Sequence, residues 1–322
     1  MIKRIFSLVL CFVSLMSLVS CSDGVYQESS DKINILCTVF PQYDVVRRII
    51  EGSEAVTCSL LLDKPTDPHS YQPMASDILA VTESDALIYT GGDSDKWIRD
   101  ILALHPKEAS AVCSLLDNLP ENELRCAGHE HDHGAHEHDH GAHEEDHSAD
   151  EHIWLSPLKA MTLCDIILGV IISLDEENRD IYEKNAAKLK ESLSQIHMEY
   201  ESVISQGKRD ILLFADRFPF LYLTEDYSLH YKAAFIGCSA ESEVSADTVI
   251  SLIETADETS VPVILITETG KDDLAVTVRE NSRDKNQKIL VINSIQAVKD
   301  PENSSYEEIL LDNLRVLETA LY

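Results

Sequence analysis

Seven apolar or aromatic residues recur at spacings of four and three near the middle of the chain, and that stripe limits the fold more than any other feature. Tyr182, Ala186, Leu189, Leu193, Ile196, Tyr200 and Val203 fall on one face of a single helix. Asp175, Glu176 and Glu177 stand before it, and negative charge suits a helix N-terminus. A helix from Glu176 to Ser205 would run about 45 Å at 1.5 Å per residue. So long a seam needs a long partner. It could pair with a second helix as a coiled coil, or act as a rigid backbone for two separate bodies.

The flanks select the backbone. Before the stripe, β-branched runs alternate with helical ones. Strands are expected at 33–39, 56–62 and 86–89, and helices at 41–50, 75–84 and 97–104. After it the theme repeats, with strands expected at 211–214, 231–236, 261–267 and 289–292 and helices at 219–226, 245–258, 270–282 and 305–321. Alternation of this kind implies parallel sheets covered by helices. The expected fold is therefore α/β: two lobes, each a mainly parallel sheet flanked by helices, joined by a long rigid linker helix. The boundaries read as an N-terminal lobe at 32–156, a linker helix region at 157–206 and a C-terminal lobe at 207–322.

The first twenty residues are a separate object. Lys3 and Arg4 precede an apolar run from Ile5 to Val19. That run is too short for a comfortable membrane span of about 20 residues, and it fits a secretory signal at 1–20. It ends Leu18-Val19-Ser20-Cys21, which resembles a bacterial lipobox. That resemblance implies cleavage before Cys21, lipid on its thiol, and a chain anchored to the membrane rather than spanning it. Residues 21–31 then read as a lipidated tether. Of the eight cysteines, Cys11 lies in the signal and Cys21 at the lipid site. Cys37, Cys58, Cys113, Cys126, Cys164 and Cys238 include no Cys-x-x-Cys pair, so no thiolate metal or redox motif is signalled.

Charge narrows the partners. With 57 acidic residues against 26 Lys and Arg, the formal charge is −31. That argues against nucleic acid, whose phosphates need a basic patch, and makes cations the natural ligands. A tract at 128–151 carries eight of the thirteen histidines in three near-identical heptads. His129, His131, His133, His136, His138, His140, His143 and His147 alternate with Asp and Glu, and nothing there larger than alanine is apolar. The tract cannot bury a core and is expected to be an auxiliary loop holding several Zn²⁺, Ni²⁺ or Cu²⁺ ions loosely. Each heptad also spells H-E-x-x-H. The zinc-protease motif of that form needs a buried helix, which Gly and Ala interrupt here.

More specific signals flank the tract. Asp67-Pro68-His69-Ser70-Tyr71 follows the second expected strand, where open parallel sheets bind ligands. Tyr89-Thr90-Gly91-Gly92 with Trp97 follows the third, and His152-Ile153-Trp154-Leu155-Ser156-Pro157 closes the tract. With the histidine tract between them and the lobe–helix–lobe order, these motifs resemble the substrate-binding lipoproteins of zinc or manganese ABC importers. The resemblance covers roughly residues 31–322.

That resemblance implies one metal ion held in the cleft between lobes, with His69 and His152 as ligands from the first lobe. A family ligand after the first strand of the second lobe falls where this chain has Asp216, with no histidine nearby. A family carboxylate after the last strand falls at Asn293. Glu243 and Glu268 are reserve carboxylates. The implied function is capture of zinc outside the cytoplasm and delivery to a membrane permease: a binding module and not an enzyme. Manganese or iron is the alternative cargo, because carboxylate-rich sites favour harder ions. A metal-buffering surface lipoprotein or adhesin is the alternative role.

Overall fold

The computed structural model describes residues 32–64, 66–108, 111–126, 149–236 and 244–322. Cys21, the signal and tether, all eight tract histidines, Cys238 and Glu243 lie outside the described residues. From Ile33 onward the chain is one compact unit.

The first sheet contains β1 (Ile33–Cys37), β2 (Val56–Leu60), β3 (Ala86–Tyr89) and β4 (Val112–Ser114), and the second contains β5 (Ile211–Phe218), β6 (His230–Ile236), β7 (Val263–Thr267) and β8 (Lys288–Ile292). Their orders are β2-β1-β3-β4 and β6-β5-β7-β8, with every pairing parallel. The two lobes thus repeat one topology. Parallel pairing forces crossover helices onto the sheet faces. Here these are α1 (Phe40–Ile49), α2 (Ala75–Glu83) and α3 (Lys96–Leu104) in the first lobe. In the second they are α7 (Leu221–Asp226), α8 (Ala246–Thr259) and α9 (Asp273–Asn281). Strands covered on both faces read as continuous apolar runs. Ala86-Leu87-Ile88-Tyr89 and Val263-Ile264-Leu265-Ile266-Thr267 are buried at every position.

The short helix α4 (Leu115–Asn118) ends the first lobe, and α5 (Pro157–Leu174) and α6 (Arg179–Ser205) join it to the second. On α6 the expected stripe is buried from Tyr182 to Tyr200, while Val203 is half-buried. This helix packs on α5, on α1 of the first lobe and on α10 (Tyr306–Leu321) of the second. Its two ends are tied to different lobes. Asn185 Nδ2 donates to Ile49 O and Glu51 O, whereas Tyr200 OH donates to Leu310 O at 2.6 Å. The backbone reading therefore holds. Helix α5 is apolar enough to cross a membrane by length and composition. It belongs to the core, burying Ala160, Leu163, Cys164, Ile167 and Ile171.

Two expectations shift. Strand β4 is not expected from the sequence, because three residues show no period. The boundary of the histidine tract also moves. Ala149 bridges Cys126 in antiparallel fashion, and Asp150 and Glu151 are buried. These two acids belong to the folded body and not to a solvated loop.

Candidate metal site

His69 sits in a short 3-10 turn, Pro68–Ser70, after β2, and His152 precedes another, Ile153–Leu155. The two imidazoles meet: Nε2 of one lies 3.2 Å from Nε2 of the other. His152 is 2% exposed. Its main-chain N–H and its ring Nδ1 both face Asp150 Oδ1, at 2.9 and 3.0 Å. A carboxylate oxygen accepts, so Nδ1 donates to Asp150 and Nε2 faces His69 Nε2. A carboxylate behind a ligating imidazole fixes tautomer and ring direction in this way. For a tetrahedral zinc with Zn–N of about 2.0–2.1 Å, two nitrogens stand about 3.3 Å apart. The pair is spaced for that edge.

The Gly-rich turn after β3 places His152. Asp95 Oδ2 accepts the N–H groups of Thr90 and Gly91 at 2.7 and 3.0 Å, and Arg99 donates to the carbonyls of Gly91 and Gly92. Gly91 has φ +99° and lies so close to Ser114 that a Cβ would fall 2.1 Å from its Oγ. A Cβ on Gly92 would fall 2.1 Å from Glu151 Cγ, so this glycine admits the Glu151 side chain. Glu151 Oε1 then accepts Ser94 N–H at 2.8 Å, and Oε2 accepts the Ser94 hydroxyl. Burial, reinforced by nearby Glu151, pushes Asp95 up to about 6 against the N–H bonds that lower it. On the His69 side, Tyr71 OH donates to Asp77 Oδ2, and burial together with that bond pushes the phenol up to about 12.

The segment around His152 is also fastened to the second lobe. Tyr222 OH donates to Asp150 O at 3.1 Å, Trp154 Nε1 to Ser294 O at 2.9 Å, and Ser156 Oγ to Asp226 Oδ2 at 2.6 Å. Tyr306 OH donates to Trp154 O.

The second-lobe candidates are engaged elsewhere. Asp216 lies within β5, where the ladder to β6 shifts register between Phe214 and Arg217. Its Oδ2 accepts Thr267 N–H at 2.8 Å and the Thr267 hydroxyl at 2.5 Å. Glu268 accepts Ser294 N–H at 2.7 Å and the Ser294 hydroxyl at 2.6 Å. Asn293 Oδ1 accepts Ile295 N–H at 2.7 Å, inside its own turn. Among the described residues no group of three or more His, Cys, Asp and Glu is placed to hold an ion. The structure brings together His69 and His152, and not Asp216, Glu268 or Asn293. Sequence reasoning missed Asp150 and Glu151, which look like more of the acidic repeat. Their one distinguishing mark is adjacency to the apolar Ile153-Trp154-Leu155.

Two α/β lobes of one topology, clamped by shared helices and meeting beside paired imidazoles, define a two-lobed binding protein of rigid-linker type. Residues 35–320 match the family described as ZnuA, zinc-uptake complex component A, periplasmic, and the chain belongs to that family. It is 27% identical over 320 residues to the zinc-binding lipoprotein AdcA of Streptococcus pneumoniae strain R6, covering 97% of this chain and 60% of that protein. It is 25% identical over 302 residues to the high-affinity zinc uptake system protein ZnuA of Bacillus subtilis, covering 94% and 92%. The structure superposes with TM-score 0.70 on a Mn-bound periplasmic metal binding protein from Candidatus Liberibacter asiaticus, at 17% identity over 90% of this chain and 100% of the other.

Proposed function

We propose that this chain is the extracytoplasmic substrate-binding component of an ABC-type importer, capturing Zn²⁺ as cargo and delivering it to a membrane permease. No bond is made or broken. The observation carrying this reading is the 3.2 Å approach of His69 Nε2 and His152 Nε2, the latter aimed by Asp150. Two imidazoles favour a borderline ion such as Zn²⁺ over Mn²⁺. Family membership and the zinc-uptake relatives support the same cargo. His69 and His152 are the proposed protein ligands. Asp216, Glu268 and Asn293 are assigned to bracing the second lobe. Glu243 remains a reserve ligand, and the tract histidines auxiliary weak sites. Cys21 is the proposed lipid anchor.

The test is metal analysis and zinc titration of the chain with and without residues 127–148, a cut that spares Ala149, Asp150 and Glu151. The shortened chain should keep one tight equivalent of zinc and lose several weak ones. Loss of the tight equivalent would place the site in the tract and overturn the imidazole pair.

A further inference from the structure

Asp67 does two things at once. Its Oδ1 accepts the main-chain N–H of His69 at 3.0 Å, capping the turn that carries the imidazole. Its Oδ2 receives Arg217 Nη1 from β5 of the second lobe. The side chains are 19% and 30% exposed, so the pair is partly shielded from water. The turn's other main-chain bonds, Ser70 N–H to Asp67 O and Tyr71 N–H to Pro68 O, are local. One carboxylate therefore connects the backbone of His69 to the opposite lobe. Within β5 the neighbours Asp216 and Arg217 part company: one carboxylate turns onto β7, and the guanidinium reaches the first lobe. A register shift of this kind commonly re-aims side chains beside a site.

We propose that Arg217 is a positioning residue for the cargo ion, acting through Asp67 to hold His69 at its spacing from His152. This rests on His69 and His152 being ligands. The direct effect of a guanidinium near a divalent cation is repulsive. Its positioning effect is favourable. The two act with opposite sign on affinity, so removing the charge while keeping an unbranched apolar stem decides between them. The contact is a single Nη1–Oδ2 bond, which an ammonium can also supply; Lys should therefore stand in for Arg here, as it would not at a bidentate site.

The experiment uses the full chain with sub-stoichiometric zinc in competition with a chelator, which reads the tightest site. Arg217→Met should weaken that site about tenfold, and Asp67→Asn by a similar factor. The double variant should be no weaker than either single one, because both break one link. Arg217→Lys should stay within threefold of the parent chain. His69→Ala is the control for the underlying reading. If His69→Ala loses the site while Arg217→Met and Asp67→Asn leave it unchanged or tighter, the positioning role is overturned and the ligand reading stands. If His69→Ala leaves the site intact, the ligand reading fails and the proposal falls with it. Should Arg217→Met not fold, an unchanged isotherm for Asp67→Asn overturns the proposal alone.

Discussion

The two lobes share strand order and handle equivalent positions differently. β3 and β7 occupy the same place in their sheets. At the end of each, a threonine N–H donates to an aspartate: Thr90 to Asp95 at 2.7 Å, Thr267 to Asp216 at 2.8 Å. In the first lobe the acid comes from the turn itself, and the tightened turn admits Glu151 and so places His152. In the second lobe the acid comes from the neighbouring strand and closes the sheet edge. One topology thus builds two strand ends, and among the described residues it is the first that brings two imidazoles together. The fold supplies the position, while the local hydrogen bonds decide whether a polar group faces a ligand or its own backbone.

The sharpest break in that comparison is removal of an imidazole. His152→Ala, read by zinc competition on the chain lacking 127–148, should weaken the tight site at least a hundredfold. His69→Ala should do so at least tenfold, about 1.4 kcal/mol. The order follows from placement: His152 is almost fully buried and backed by Asp150, whereas His69 is half-buried in a short turn. Ligating imidazoles must be neutral, so affinity in the parent chain should fall as the pH becomes acidic. An equal and negligible effect of both substitutions would mean the first lobe is no more a binding edge than the second.

A smaller effect makes the first-lobe aspartate, Asp95, visible by pH. Asp95 is raised to about 6, chiefly by burial. A carboxyl raised above its unfolded value of about 4 stabilises the fold fully below that value. The contribution is lost as pH rises through about 6. Asp95→Asn keeps an acceptor for the N–H groups of Thr90 and Gly91 and removes the titration. The parent chain should therefore lose stability relative to Asp95→Asn between about pH 4 and pH 6, and the gap should be flat above that. Thermal unfolding across that range, on chains freed of metal, checks it. A constant gap would mean the first-lobe turn holds its acid at no cost.

Legibility in the sequence divides along the same line. The long helix is readable because its apolar residues repeat at helical period and stay buried from Tyr182 to Tyr200. The strands are readable as β-branched runs, and the alternation implies parallel pairing. His69 and His152 stand out through the motifs around them. Asp216, Glu268 and Asn293 are less legible for a physical reason. At the carboxyl end of a strand, side-chain direction depends on local register, and an irregularity between Phe214 and Arg217 is invisible in one sequence. Asp150 and Glu151 are hidden because composition alone cannot tell a buried acid that serves a histidine from a solvated one in a repeat.

The smallest expected effect on binding belongs to Asp216, the residue whose position in the chain most resembles a third ligand. Its Oδ2 accepts both the N–H and the hydroxyl of Thr267. Oδ2, so engaged, would have to give up these bonds to reach an ion. Asp216→Asn retains a carbonyl oxygen that can accept both the N–H and the hydroxyl of Thr267, and removes the charge. The expected cost is stability, about 1 kcal/mol, with zinc affinity changed less than threefold. The same pair of measurements on Glu268→Gln should also show lost stability with affinity within threefold, since Ser294 donates its N–H to one oxygen of Glu268 and its hydroxyl to the other. A tenfold loss of affinity in Asp216→Asn at unchanged stability would reverse the assignment. It would mean that β5 releases this carboxylate to the ion, and that the second lobe contributes a ligand as the first does.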